Sequence, residues 1–294
     1  MRIAVLGPGG VGGFVAAALA RDGQDVVVVA REQTAARIAE HGLAVRSVRL
    51  GDFTVHPRTA AVLEEPVDVL VVATKAGGLA AALERVACAP ALVLPLLNGL
   101  DHLAVLRERF GDAVLAGVIR IESDRPEAGV IVHSSPFLRI DMAGPGAQRA
   151  AMERLAAALE SAGIPARILD SEAQVMWEKL VRLNALACTT SAWDLPVGEI
   201  RDTPWMMRKL EAAVAEGCAV ARAEGADLQA DQTMREINDV HATLGTSMQR
   251  DIAARREPEI DAIPGAVLRA AARHGLSCPA IEELVAVIRG RIAP

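Results

Sequence analysis

Residues 2–13 read RIAVLGPGGVGG, a short apolar run that leads straight into a glycine-rich turn. Gly7, Pro8, Gly9, Gly10, Val11 and Gly12 match G-x-G-x-x-G, with a β-rich run before them and a helical pattern over residues 12–23 after them. Each glycine meets a different demand. Gly7 permits the tight turn, Gly9 lets a pyrophosphate approach the backbone, and Gly12 lets helix and strand pack closely. The helix N-terminus adds unpaired N–H groups that favour phosphate. A glycine turn alone says little, but in this setting it reads as a dinucleotide cradle. No GK[ST] follows, so a Walker loop is excluded.

Further apolar runs stand at residues 26–30, 67–74, 91–96 and 114–119, with helical patterns at 33–42, 76–87 and 99–111. Continuous rather than alternating apolar strands imply a sheet covered on both faces. Strand and helix in alternation predict an α/β fold with a parallel sheet and right-handed crossovers. Residues 130–143 break this rhythm: two short runs about Ser134, Ser135 and Pro136 predict an antiparallel excursion. A helix near 147–162 and a strand at 164–169 close this half.

After Asp170 the texture changes to helical spacing of Ala, Leu, Val and Met over 171–193, 205–225, 231–241 and 279–291, without a convincing strand. At 294 residues the chain exceeds most single cores. Two domains are therefore expected: 1–170, a Rossmann-type dinucleotide-binding domain, and 171–294, mainly α-helical.

The end of the second strand should select the dinucleotide. An acid there suits the ribose 2′-hydroxyl of NAD. Here the strand ends Ala30, Arg31, Glu32, and Arg31 stands nineteen residues after Gly12, where a guanidinium could grip a 2′-phosphate bidentately. Glu32 comes one place late. NADP is favoured over NAD.

Composition removes other classes. Four phenylalanines, three tryptophans and no tyrosine argue against a nucleic-acid binder that stacks bases. A net charge of -6 argues against a broad phosphate-coating surface. No apolar run approaches the ~20 residues that cross a bilayer, and Met1 leads directly into a strand, so no membrane partner and a cytoplasmic location are expected. Cys88, Cys188, Cys218 and Cys278 are far apart and read as reduced; neither they nor the six histidines have metal-ligand spacing.

Several pieces remain. Lys75 follows the run at 67–74 and Asn98 the run at 91–96, both at the carboxyl edge of the sheet where ligands bind. WEKL at 177–180 places Lys179 in an otherwise apolar helical stretch, and Ser247 precedes Glu259 by twelve residues. Together with ATKA at 73–76, LLNGL at 96–100, VIVH at 130–133, PVGEIR at 196–201, SMQRDI at 247–252 and EIDAIPG at 259–265, their order resembles the ketopantoate reductase family over nearly the whole chain. The resemblance implies reduction of 2-dehydropantoate to D-pantoate, for pantothenate and coenzyme A, with NADPH lying between the two domains. By position, Lys179 resembles the general acid and Glu259 the carboxylate that helps bind substrate and cofactor. Ser247 resembles a substrate contact, Asn98 the residue near the nicotinamide ribose and reaction centre, and Arg31 and Lys75 the cofactor's polar clamps.

The chemistry makes independent sense. Hydride delivered to a ketone leaves negative charge on oxygen, and a cation within hydrogen-bond reach polarises the carbonyl and supplies the proton. In isolation, Lys179 would read as a snorkelling amine, Glu259 as a solvated charge, Ser247 as a helix cap and Asn98 as a turn residue. The ordered set reverses that for Lys179, Glu259 and Asn98.

The match frays at the substrate positions. Family members commonly carry asparagine four and eight places after the lysine; here these are Leu183 and Ala187. Asn184, at +5, lies about 140° round a regular helix from Lys179 and serves the site only if a π-bulge rotates it back. Asp194 stands where the family often has asparagine. Reduction of another 2-oxo acid, or an NADP-sensing protein without turnover, are the alternatives; keeping Lys179 and Glu259 weighs against the sensor. The apolar helices of 171–291 suit either a core or a homodimer face.

Overall fold

Residues 1–292 are described by a computed structural model. Contacts divide the chain into two units: Met1–Leu97 with His102–Val175, and Asn98–Asp101 with the chain from Met176 onward.

In the first unit, strands β1 (Arg2–Leu6), β2 (Asp25–Val29), β3 (Leu43–Ser47), β4 (Phe53–Val55), β5 (Arg58–Ala60), β6 (Val69–Val72) and β7 (Leu92–Pro95) lead into β8 (Ala116–Arg120), β9 (Ser123–Glu127), β10 (Val130–His133), β11 (Arg139–Ala143) and β12 (Ala166–Ile168). Helices α1 (Gly10–Arg21), α2 (Glu32–His41), α3 (Leu79–Leu83), α4 (His102–Phe110) and α5 (Arg149–Ser161) lie between them. The main sheet runs β5-β2-β1-β6-β7, all parallel. Its strands are buried on both faces in period two. Ile3 and Val5 join a core with Phe14, Leu19 and Ile131, whereas Ala4 and Leu6 join one with Leu79, Leu83 and Leu106.

Two smaller sheets revise the expected topology. The run at 114–119 gives β8, which pairs antiparallel with β11 in a sheet ordered β12-β11-β8; it packs against β7, but its ladder to the main sheet is no more than a bridge from Val114 to Val93. The excursion at 130–143 is antiparallel, but its two runs do not pair with each other. β10 pairs with β9 and lies parallel to β3, while β11 pairs with β8. Strands β3, β4, β5 and β9 are short and partly exposed, too brief for period-two reading to resolve. The helix expected over 76–87 shrinks to a 3-10 turn at Ala76–Gly78 followed by α3, since Gly77 and Gly78 favour a helix poorly.

The second unit contains α6 (Glu172–Trp193), α7 (Val197–Asp202), α8 (Pro204–Ala223), α9 (Ala230–Asn238), α10 (Ser247–Ala253), a π-helical turn at Asp261–Gly265, α11 (Ala266–Arg273) and α12 (Pro279–Ile292). No strand occurs among its described residues. α8 packs against α7, α9, α11 and α12, and its Gly217 lies against Val181 of α6, where an added Cβ would come within 3.1 Å of the valine. Trp177 and Leu180 of α6 are buried, as the apolar texture around Lys179 predicts. No described helix is long and apolar enough to cross a membrane.

Candidate active site

The glycine loop turns at Gly7, whose φ of +91° excludes most side chains. Gly9 donates to the Gly7 carbonyl at 2.8 Å and stands at the N-cap of α1 without a side-chain cap. A Cβ at Gly12 would lie 2.2 Å from the Gly7 oxygen and 3.0 Å from Cβ of Ala73. At Gly10 it would strike the backbone of Ser123, and at Gly13 the side chain of Ile131. Gly9 differs: a Cβ there would meet nothing within 4 Å. Four of the glycines admit neighbouring protein, and the fifth leaves open space at a helix N-terminus. That arrangement fits a pyrophosphate on the backbone N–H groups. Pro8 is buried, and the half-buried Val11 packs on the core beneath.

Arg31, at the N-cap of α2, is exposed and makes no side-chain hydrogen bond or ion pair among the described residues. Glu32 is the first residue of α2 and accepts from Arg85 at 3.1 Å. Its own backbone N–H and then Arg85 hold its carboxyl below the usual range. The acid that could have faced a ribose 2′-hydroxyl is thus held by a guanidinium. Lys75 is exposed at the start of the 3-10 turn after β6. Beside it, Thr74 packs on Gly7 and buries a hydroxyl that has no partner. Along the chain Thr74 is marked only by its place in ATKA at 73–76; that its hydroxyl is orphaned shows only in the folded molecule.

In the second unit, Lys179 and Glu259 meet through Asn98. Nζ of Lys179 donates to Oδ1 of Asn98 at 2.9 Å, and Nδ2 of Asn98 donates to Oε2 of Glu259 at 2.9 Å. All three side chains are half-buried. Local chemistry explains why Asn98 can reach them. Gly99, at φ +82°, turns the chain so closely that an added Cβ would lie 2.1 Å from the Ala262 carbonyl oxygen. Ala262 belongs to the π-helical turn that starts two residues after Glu259, where Gly265 N reaches back to Ile260 O at 2.9 Å and Pro264 withholds a donor. Arg269 of α11 ties the two segments, donating to Asp261 at 2.7 Å and also to Asp101. Arg269 was invisible in the sequence; its partner Asp101 is 168 positions away.

The other candidates are placed differently. α6 is a regular α-helix throughout, so no bulge returns Asn184 to the Lys179 face. Asn184 is fully buried; its Oδ1 faces the Cys188 thiol at 3.5 Å and its Nδ2 has no partner. The π turn that the sequence invites at Asn184 occurs instead after Glu259. Ser247 is exposed as the first residue of α10, and Thr246 does the capping, its Oγ1 accepting from Gln249 N at 3.3 Å. Asp194 sits at φ +58° and accepts from Gln249 at 3.1 Å and Arg291 at 3.0 Å, which hold its carboxyl below the usual range. Among the described residues no group of three or more His, Cys, Asp or Glu could hold a metal ion.

Residues 3–143 match the family described as ketopantoate reductase PanE/ApbA, and residues 173–292 match its C-terminal domain. A 2-dehydropantoate 2-reductase of Halobacterium salinarum is 31% identical over 301 residues, covering 98% of each chain. The crystal structure of 2-dehydropantoate 2-reductase from Geobacter metallireducens superposes with a TM-score of 0.89 at 28% identity, covering 99% of each chain. A D-mandelate dehydrogenase solved with NADH and anilino(oxo)acetate shares the fold, with a TM-score of 0.89 at 21% identity over 99% of this chain and 98% of that one. With a dinucleotide loop in one unit, a lysine–asparagine–glutamate chain in the other, and family matches over both, the chain belongs to the ketopantoate reductase family of nicotinamide-dependent oxidoreductases.

Proposed function

We propose that this protein reduces a 2-oxo acid to the 2-hydroxy acid with NADPH, 2-dehydropantoate being the reference substrate that the family's name supplies. The observation that carries the reading is the hydrogen-bonded chain from Lys179 through Asn98 to Glu259. When bound, NADPH supplies a hydride to the ketone carbon. Lys179 donates a hydrogen bond to the ketone oxygen and gives it a proton as negative charge develops there. Asn98 holds the ammonium through its carbonyl oxygen and is itself fixed by Glu259. The Glu259 carboxylate favours the protonated lysine through the intervening amide dipole. Ser247, exposed at the start of α10, is the contact for the substrate carboxylate. In the first unit, Gly9 and the α1 N-terminus take the pyrophosphate, and Arg31 and Lys75 take the phosphate of the adenosine ribose.

Consumption of NADPH with 2-dehydropantoate and with a panel of other 2-oxo acids tests this, together with recovery of the 2-hydroxy acid. Absence of turnover with every member of the panel, by folded protein that binds NADPH, would sink the reading.

A further inference from the structure

Resting on that reading and narrowing it, we infer that the substrate's side chain beside Lys179 is a branched hydrocarbon without a hydroxyl. The inference comes from what shares the lysine's face of α6, which is regular from Glu172 to Trp193. At about 3.6 residues per turn and about 1.5 Å per residue, Leu183 lies about 40° round from Lys179 and about 6 Å along the axis. Leu186 follows about 20° to the other side, and Thr190 about 20° round and about 16 Å away. Leu183 is half-buried and Leu186 buried. In the other direction the nearest residues on this face are Met176 and Val175, both buried. Within about 40° of Lys179, the next side chain in either direction along the helix is hydrocarbon, Leu183 one way and Val175 the other.

The polar groups that α6 and Thr246 offer nearby are engaged or turned away. Thr190 donates to the Leu186 carbonyl at 2.8 Å, so the hydroxyl of Thr246, 2.8 Å away, must donate to Thr190. Thr246 in turn accepts from Gln249 N. Asn184 points about 140° away and is fully buried. Arg182 stands at the edge of the face, 3.9 Å from Glu236. Ser247 belongs to α10 and serves the carboxylate in the reading above. A hydroxyl on the substrate's side chain, such as 2-dehydropantoate carries, would shed water against Leu183 without gaining a partner on α6. A methyl group in the same place gains from the contact.

The pair that isolates this effect is 2-dehydropantoate and 3,3-dimethyl-2-oxobutanoate, which has the same branched carbon skeleton without the terminal hydroxyl. In both, hydride from NADPH goes to C2 and a proton to its oxygen, leaving NADP+ and the 2-hydroxy acid. Steady-state kinetics on the full chain should give a kcat/KM for the hydroxyl-free acid about 10- to 100-fold above that for 2-dehydropantoate. Leu183→Asn, or Leu183→Gln if the first variant folds poorly, should lower that ratio by about tenfold, because an amide now meets the hydroxyl. A ratio at or below one in the unmodified protein, or one that both variants leave unmoved, overturns the inference while the reductase reading stands. Failure to reduce either acid, by protein that binds NADPH, overturns the reading on which it rests.

Discussion

Oδ1 of Asn98 accepts a hydrogen bond from Nζ of Lys179 at 2.9 Å, and this contact leaves the Asn98 amide one useful orientation. The oxygen must face the ammonium, so the amide nitrogen faces Glu259, which accepts from it at 2.9 Å. The lysine that looks misplaced in an apolar helix is therefore held from the loop after β7. The first prediction follows from its proposed role as proton donor. Lys179→Ala should lower kcat by about 10²–10⁴-fold while NADPH titration gives unchanged affinity. A folded variant with normal kcat on the true substrate would return Lys179 to an amine that merely snorkels to water.

Asn98→Ala removes both hydrogen bonds at once. Loss of a charge-assisted hydrogen bond worth about 1.5–3 kcal/mol should cost about 10- to 100-fold in kcat/KM. Glu259→Ala should weaken substrate binding and turnover with NADPH affinity retained. Because the three residues act as one chain, the double variant should lose much less than the product of the single losses. Independent, multiplicative losses would show that Glu259 does not act through Asn98.

In the proposed reading cofactor choice rests on Arg31, since Glu32 is held by Arg85. NADPH should bind more tightly than NADH, and Arg31→Ala should weaken NADPH by about 10- to 100-fold while NADH changes little. Fluorescence titration with both cofactors checks this; equal affinities in the unmodified protein would end the argument.

Gly99 combines a positive φ with backbone contact, so Gly99→Ala has no easy relaxation. Left-handed strain alone costs about 1–2 kcal/mol, and the collision with the Ala262 carbonyl adds to it. The variant should lose more than about 2 kcal/mol in urea denaturation. It should also lose activity in excess of any unfolded fraction, because the displaced turn begins two residues after Glu259. Normal stability and turnover would contradict both.

Stability should fall in acid in two separate steps. Ser47 Oγ accepts from Arg49 N and Leu50 N, so its hydrogen goes to Nδ1 of His133 at 2.8 Å. His133 is thus neutral, with its proton on Nε2 towards Ser135. Burial lowers its pKa from the ordinary 6.5. Above 6.5 folded and unfolded chains are both neutral here and stability is full. Below it the unfolded chain takes a proton that the folded chain resists, and stability drops by up to about 1.4 kcal/mol per pH unit. Asp141 acts lower. Burial raises its carboxyl, but Arg167 at 2.6 Å and Arg139 at 2.8 Å outweigh that and hold it below 3.8. That contribution persists above 3.8 and is lost as pH falls through the folded value. Denaturation midpoints from about pH 7 to about pH 5 should decline, and His133→Asn should flatten the decline in that window. An unchanged slope in the variant would remove His133 as the cause.

Much of this protein was legible along the chain. The strand, the glycine turn and the helix after it obey rules that act within a few residues: extended apolar runs, positive φ at Gly7, period two in β1 and period 3.6 in α6. The candidate residues Lys179, Asn98 and Glu259 were visible too, through their spacing and a family resemblance. Other features depended on which distant segments come together. Asn98 and Glu259 are 161 positions apart, and only packing could show that the short segment Asn98–Asp101 groups with the helices rather than with the sheet that precedes it. Packing likewise placed β8 in a separate sheet, set Gly10 against Ser123, and put the π turn after Glu259 instead of at Asn184. Local propensity constrains dihedral angles within one element, whereas pairings over such separations minimise the burial cost of the whole molecule, and no short window of sequence contains that sum.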